Sequence, residues 1–388
     1  MVFRAESLFK VLIGVMIFCV AFRLHIFAML SSFLMFSMII LKNSYSKKFL
    51  VSYLFVFSFY FAYLSFGLFG PEAEYDTERF LMRVGLFFVT SSAFFMIPFY
   101  DRKNIFFYLK LYTFSSLVYV YIICGYSYFN DYRGYNHLFD PFKGLDVNSP
   151  LIAMLSTVAF FMLFECLKLE TKLMKVFVIF AFIMQVLTSI VYLGSRASLI
   201  LMIFYFSIKF FAQQSLKGRF VKNIILCILL LVFSSFFVFL SDFLNVGHFS
   251  VSFDFGGFAE RGFNSPRFEM LLYGLSNMLD YPFGGLTVNS NSYNGIWFHN
   301  MFLDIVRVSG FIVMFYWLFI LFFVALLVFI NSGSIKSFGS LYIILIVMFC
   351  QDLAFDGHYN VMALFFFIIG YSFSNAGFCE AKKNFKSS

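Results

Sequence analysis

Three stretches of this chain place arginine or histidine where apolar sequence meets polar sequence, and each has residue types suited to chemistry on a charged group. In Gly194-Ser195-Arg196-Ala197-Ser198-Leu199, an arginine stands at the junction of two apolar runs. A guanidinium so close to hydrocarbon is costly unless it is paired or faces a polar cavity. Arg196 is therefore either a ligand contact or an arginine that snorkels to the interface. In Glu260-Arg261-Gly262-Phe263-Asn264-Ser265-Pro266-Arg267-Phe268-Glu269, two arginines lie six residues apart beside Gly and Pro. Their planar forks can give a diphosphate bidentate, permanently charged hydrogen bonds; pairing with Glu260 and Glu269 is the plain alternative. The third stretch joins Asp280-Tyr281-Pro282-Phe283-Gly284-Gly285 to the segment from Trp297 through His299, Asn300, Asp304 and Arg307 to Gly310. His299 stands at the predicted start of a helix, with Leu303, Val306 and Gly310 following at helical spacing. An imidazole, with an ordinary pKa of about 6.5, can take a proton at neutral pH, although a lone histidine is more often structural. Arg307, three residues after Asp304, reads as half of an intrahelical ion pair.

Softer signals are the run Tyr126, Tyr128, Tyr132 and Tyr135 with Arg133 and His137, and the pair Asp352 and Asp356 beside His358. Aromatic rings with polar neighbours can receive sugars, but tyrosine at a membrane interface is common without any ligand.

The elements that must position these residues are membrane helices. The chain is 62% hydrophobic with a mean hydropathy of +0.88 and only 12% charged, against roughly half apolar and about a quarter charged in a soluble domain. Apolar runs long enough to cross hydrocarbon as helices recur along its whole length. They predict an all-α integral membrane protein of about 12 transmembrane helices, near residues 8–22, 24–41, 49–69, 84–100, 105–124, 150–167, 176–193, 197–212, 223–241, 308–330, 340–351 and 360–376. The run at 340–351 is short for a full span. Residues 1–388 read as a single polytopic membrane domain, with 242–298 a long loop within it. The first run follows Arg4 and has no clean small-residue cleavage site, so it reads as a retained helix rather than a signal peptide.

Placing both termini in the cytoplasm puts 19 of the 28 Lys and Arg on the inner side, and this asymmetry fixes the predicted orientation. The three long loops, 70–83, 125–149 and 242–298, then all lie on the outer side. The net charge of +8 follows from this topology, so basic patches face lipid headgroups and no nucleic-acid partner is needed. The six cysteines are scattered without paired spacing and read as small buried hydrophobes, not as a disulfide frame or metal site. No phosphate-binding loop of the ATPase type is present, which argues against an ATP-driven machine.

Taken in order, these pieces resemble the O-antigen polymerase and O-antigen ligase superfamily of membrane glycosyltransferases. The residues that carry the likeness are Ser195-Arg196 opening a helix, Ser265-Pro266-Arg267-Phe268-Glu269 in an outer loop, Tyr281-Pro282-Phe283-Gly284-Gly285, and His299-Asn300 leading a helix that reaches Gly310. They span roughly residues 190–330; the amino-terminal half offers hydropathy alone. The resemblance implies an architecture like that of the GT-C membrane glycosyltransferases, in a bacterial inner membrane. It also implies metal-independent polymerisation of undecaprenyl-diphosphate-linked O-antigen repeat units at the periplasmic face, with no cofactor. Arg196 and Arg267, with Arg261, would hold the diphosphate leaving group. His299 would activate or orient the acceptor hydroxyl, and Asn300, Tyr132, Arg133 and Asp356 are the candidates for binding the acceptor. Besides the carrier-linked oligosaccharide and membrane lipids, a chain-length regulator is a candidate partner. Ligase and polymerase share these motifs, so transfer to a lipid A core is the alternative; a flippase for the lipid-linked oligosaccharide is the reading from another class.

Overall fold

The computed structural model describes residues 2–41, 46–69, 77–132, 138–166, 172–193, 195–212, 266–289, 291, 294–295, 297–330, 336–350 and 358–375. It is 85% helical. The α-helices are α1 (Val2–Ala21), α2 (His25–Leu41), α3 (Lys47–Phe69), α4 (Thr77–Tyr100), α5 (Ile105–Phe129), α6 (Ser149–Cys166), α7 (Lys172–Val186), α8 (Arg196–Ala212), α9 (Pro266–Asn277), α10 (Met301–Ile330), α11 (Lys336–Phe349) and α12 (Tyr359–Asn375). The described residues also form two short antiparallel hairpins, β1 (Leu138–Asp140) with β2 (Leu145–Val147) and β3 (Val288–Asn289) with β4 (Asn294–Gly295), 3-10 turns at Arg102–Asn104 and Met278–Asp280, and a π turn at Leu187–Tyr192.

Among the described residues, five helices are long and apolar enough to cross a membrane: Lys47–Phe69, Phe80–Tyr100, Arg102–Phe129, Ser149–Cys166 and Met301–Val328. Six shorter apolar helices accompany them. Together these eleven coincide with eleven of the twelve ranges read from hydropathy; the remaining range, 223–241, lies outside the described residues. The segment predicted as a long loop contains a helix, α9, in its described part.

An outward apolar face explains why so oily a chain needs a lipid solvent. On α10, Ile312, Phe315, Phe319 and Phe322 are 46%, 48%, 56% and 64% exposed and recur at three- and four-residue spacing, so they form one stripe. In water such a stripe would keep its full hydration penalty; in hydrocarbon it is at rest, because helices satisfy their own backbone.

The chain divides into two compact units, one of residues 1–115 with 266–388 and one of residues 116–265. The first is knitted by α4 against α12 and α3 against α10. Small and hydroxylated residues let these backbones approach, as membrane helices do in place of a hydrophobic driving force. Thr90, Ser91, Ser92 and Ala93 are all buried on α4. The Tyr53 hydroxyl lies 3.0 Å from the Ser92 hydroxyl and that of Tyr60 lies 3.3 Å from Ser91, and Ser309 donates to the Tyr63 carbonyl at 3.0 Å. Backbones come very close at Gly370 of α12, where a Cβ would sit 2.2 Å from the Phe95 carbonyl oxygen. Because that atom is backbone, the helices themselves must part to admit a methyl group. Gly370→Ala should therefore cost about 1–3 kcal/mol through overpacking. Thermal melting of the purified protein in detergent checks this, and an unchanged midpoint would show that α4 and α12 are not in this contact.

In the second unit, α6 and α8 are joined at one end by an ion pair between Glu165 and Lys209, with the Tyr205 hydroxyl donating to Glu165 at 2.6 Å. Both charges are nearly excluded from solvent, which is tolerable in an apolar bundle only because they meet.

Candidate functional site

The third stretch is built as one piece around the start of α10. Asn300 caps that helix: its Oδ1 accepts from the backbone of Phe302 at 3.0 Å and Leu303 at 3.2 Å, satisfying donors that have no partner inside the helix. Its Nδ2 donates to the Cys350 carbonyl at 2.8 Å, which ties the cap to the end of α11. Asn300 thus spends its amide on backbone.

His299 precedes this cap with φ of 51°, in the left-handed region that few side chains adopt. The peptide before it is held by Asp304, whose Oδ1 accepts from the Phe298 N–H at 3.1 Å. Asp304 is 6% exposed, and its Oδ1 also lies 3.6 Å from Arg307 Nε. The guanidinium of Arg307, 1% exposed, sits over the Trp297 ring at 4.2 Å from its centroid. The Asp304 and Arg307 charges thus meet within the helix, as their spacing predicted, and the Trp297 face adds a cation–π contact. The result is a half-buried histidine on a backbone corner, with the Asp304–Arg307 pair in the first turns of the helix that follows.

The Tyr281–Gly285 motif explains how α10 can break just beyond this corner. At Gly310 the helix takes φ of 85° and ψ of 167°, and the lost backbone pairing is made good by the motif. Gly285 N–H donates to the Arg307 carbonyl at 2.8 Å, and Phe311 N–H donates to the Tyr281 carbonyl at 3.0 Å. Gly284 has φ of 104°, and a Cβ there would come within 2.7 Å of the Val308 carbonyl oxygen. The glycines are there because backbone lies directly on backbone. Phe283 closes the turn by stacking on Phe66 of α3, with ring centroids 5.8 Å apart.

Arg267 is brought to the same neighbourhood by α9. It is the second residue of that helix, and Gly274, two turns on, packs where a Cβ would touch Leu303 and Phe298. Arg267 therefore stands about 10 Å along the α9 axis from the contact that flanks His299.

Arg196 belongs to the other unit. Ser195 caps α8, its Oγ accepting from the Ser198 N–H at 3.2 Å, so Arg196 occupies the first helical position. Ahead of it, Leu187–Tyr192 forms a π turn, a wider coil found often at functional sites. Tyr132, in the same unit, stacks on Phe139 at 5.1 Å, and Tyr126 stacks on the same ring at 5.7 Å. Arg261, Arg133 and Asp356 lie outside the described residues. Among the described residues no group of His, Cys, Asp and Glu is placed to hold a metal ion.

Sequence reasoning passed over Gln185, the polar partner of three hydroxyl-bearing residues in this unit, Ser156, Thr157 and Ser189. Its signal was a lone amide within the apolar range 176–193. The structure as a whole defines a helical protein with spans of membrane length. No family model matches the chain, and no curated protein matches it significantly.

Proposed function

We propose that this chain is an O-antigen polymerase of the bacterial inner membrane, a metal-independent glycosyltransferase that joins undecaprenyl-diphosphate-linked repeat units at the periplasmic face. The observation that carries the reading is the corner at His299: an imidazole held in left-handed backbone, between the Asn300 cap and the Asp304 tether, on a helix whose break is filled by the Tyr281–Gly285 turn. Two separated motifs of the resemblance, Tyr281–Gly285 and His299-Asn300, thereby acquire physical reasons at one place. In the reaction proposed, the acceptor hydroxyl attacks the anomeric carbon as the bond to the diphosphate oxygen breaks. His299 takes the hydroxyl proton and the diphosphate leaves with the bonding electron pair. Arg267 meets the charge that develops there, the kind of preorganised stabilisation that is usually the largest catalytic contribution, and Arg196 is read as a contact to the diphosphate of the carrier.

The lipopolysaccharide ladder of a strain lacking this gene tests the reading. A lipid A core bearing one repeat is the expected result. A bare core with carrier-linked polymer accumulating would make the protein a ligase, and a bare core with repeats trapped inside the cell would make it a flippase.

A further inference from the structure

The second unit holds a chain of buried hydrogen bonds that leads from the last turn of α7 to the first turn of α8. Gln185 of α7 is 1% exposed. Its Oε1 accepts from the Ser156 hydroxyl at 2.6 Å, and its Nε2 donates to Thr157 Oγ1 at 3.1 Å and to Ser189 Oγ at 2.5 Å. An amide in an apolar span is expensive unless satisfied; satisfied on both atoms, it makes its surroundings rigid. The bonds continue past the contact of α6 with α7. Ser189 lies in the π turn, and its carbonyl accepts from the Ser195 N–H at 3.0 Å. Ser195 Oγ in turn receives the Ser198 N–H at 3.2 Å and the Ser198 hydroxyl at 2.9 Å, and that hydroxyl also reaches the Ala153 carbonyl of α6 at 3.4 Å. A simple clamp between α6 and α7 would need only the Ser156 and Thr157 bonds. The added length, routed through the π turn that follows α7, fixes the residue immediately before Arg196.

We propose that Gln185 is a positioning residue for Arg196: through Ser189, Ser195 and Ser198 it holds the first turn of α8 in the orientation that presents the arginine to the diphosphate of the lipid carrier. This rests on the reading of Arg196 as a carrier contact. Gln185 itself touches no substrate; the network converts an amide inside the bundle into the direction of a helix end.

The test is a double-mutant cycle on the full-length protein in nanodiscs, measuring the Kd for undecaprenyl diphosphate. Gln185→Leu and Arg196→Ala should each weaken binding by about tenfold or more, and the double variant should bind no more weakly than Arg196→Ala alone, because residues that act as one unit couple. Losses that add, or wild-type binding by Gln185→Leu, would overturn the positioning role and leave the carrier reading standing. Wild-type binding by Arg196→Ala would instead overturn the carrier reading, and the positioning role with it. Ser189→Ala, which removes a single acceptor without changing the packing of α6, reads the same coupling if Gln185→Leu does not accumulate.

Discussion

His299→Asn should abolish chain extension, by roughly 10²- to 10⁴-fold, the loss expected when an acid–base group is removed, while the protein accumulates and melts as the wild type does. Asparagine is the better replacement for two reasons. Residue 299 has φ of 51°, and asparagine tolerates left-handed backbone where alanine is strained by about 1–2 kcal/mol. An amide also keeps the polarity of the corner but cannot take a proton near neutral pH. His299→Ala should show the same loss of extension with a small added loss of stability. Binding of carrier-linked substrate should persist in both, because the arginines are untouched. The measurement is a reconstituted assay with purified carrier-linked repeat, reading extension and binding separately. Extension near wild type in His299→Asn would end the proton-transfer role, and loss of the protein from the membrane would make the residue structural.

The helices were legible because hydrocarbon demands long apolar runs, and the misjudged boundaries share one cause. Hydropathy alone placed the start of α10 near residue 308, whereas it begins at Met301, close to the start that the helical spacing after His299 gave. Asp304 and Arg307 lower the local hydropathy as two charges, but within the helix they pair and are nearly fully buried. At α4, which starts at Thr77 rather than 84, the charges of Glu78, Arg79 and Arg83 likewise lower the local hydropathy of the sequence. Helix α9 escaped because its apolar residues are interspersed with polar ones. Its signature was of another kind: a proline at the first helical position and Glu269 in the first turn.

At the candidate site, residue types were readable and their mutual support was not. The spacing of Asp304 and Arg307 gave the ion pair, since helical geometry alone sets it. Nothing local announces that Tyr281–Gly285 fills a break in a helix some 25 residues later. Nor does sequence show that Asn300 reaches Cys350. These are long-range contacts between backbone and backbone or between side chain and backbone, and no periodicity encodes them. The π turn before Ser195 is invisible for a related reason, since the extra residue it accommodates is absorbed by geometry without any change in composition.

Gly310→Ala should be the most damaging change of one methyl group in the first unit. The backbone there, at φ of 85° and ψ of 167°, lies in a region essentially closed to side-chain-bearing residues, at a cost of about 1–3 kcal/mol. The new Cβ would also fall 2.0 Å from the Pro282 carbonyl oxygen and 2.5 Å from the Phe283 nitrogen. Both atoms are backbone, so no rotamer change relieves the clash. Either the helix straightens or the turn lifts away, and each route breaks the bonds from Gly285 to Arg307 and from Phe311 to Tyr281. Together the strain and the overpacking predict a loss of about 3 kcal/mol or more, with chain extension lost as well because the turn no longer fixes the helix that carries His299. Ile312→Ala, on the lipid-facing stripe of the same helix and 46% exposed, should stay within about 1 kcal/mol and supplies the baseline. Thermal melting of both variants in the same detergent decides the matter: equal midpoints would mean that the turn is not seated on α10 and that the glycine has some other reason to be there.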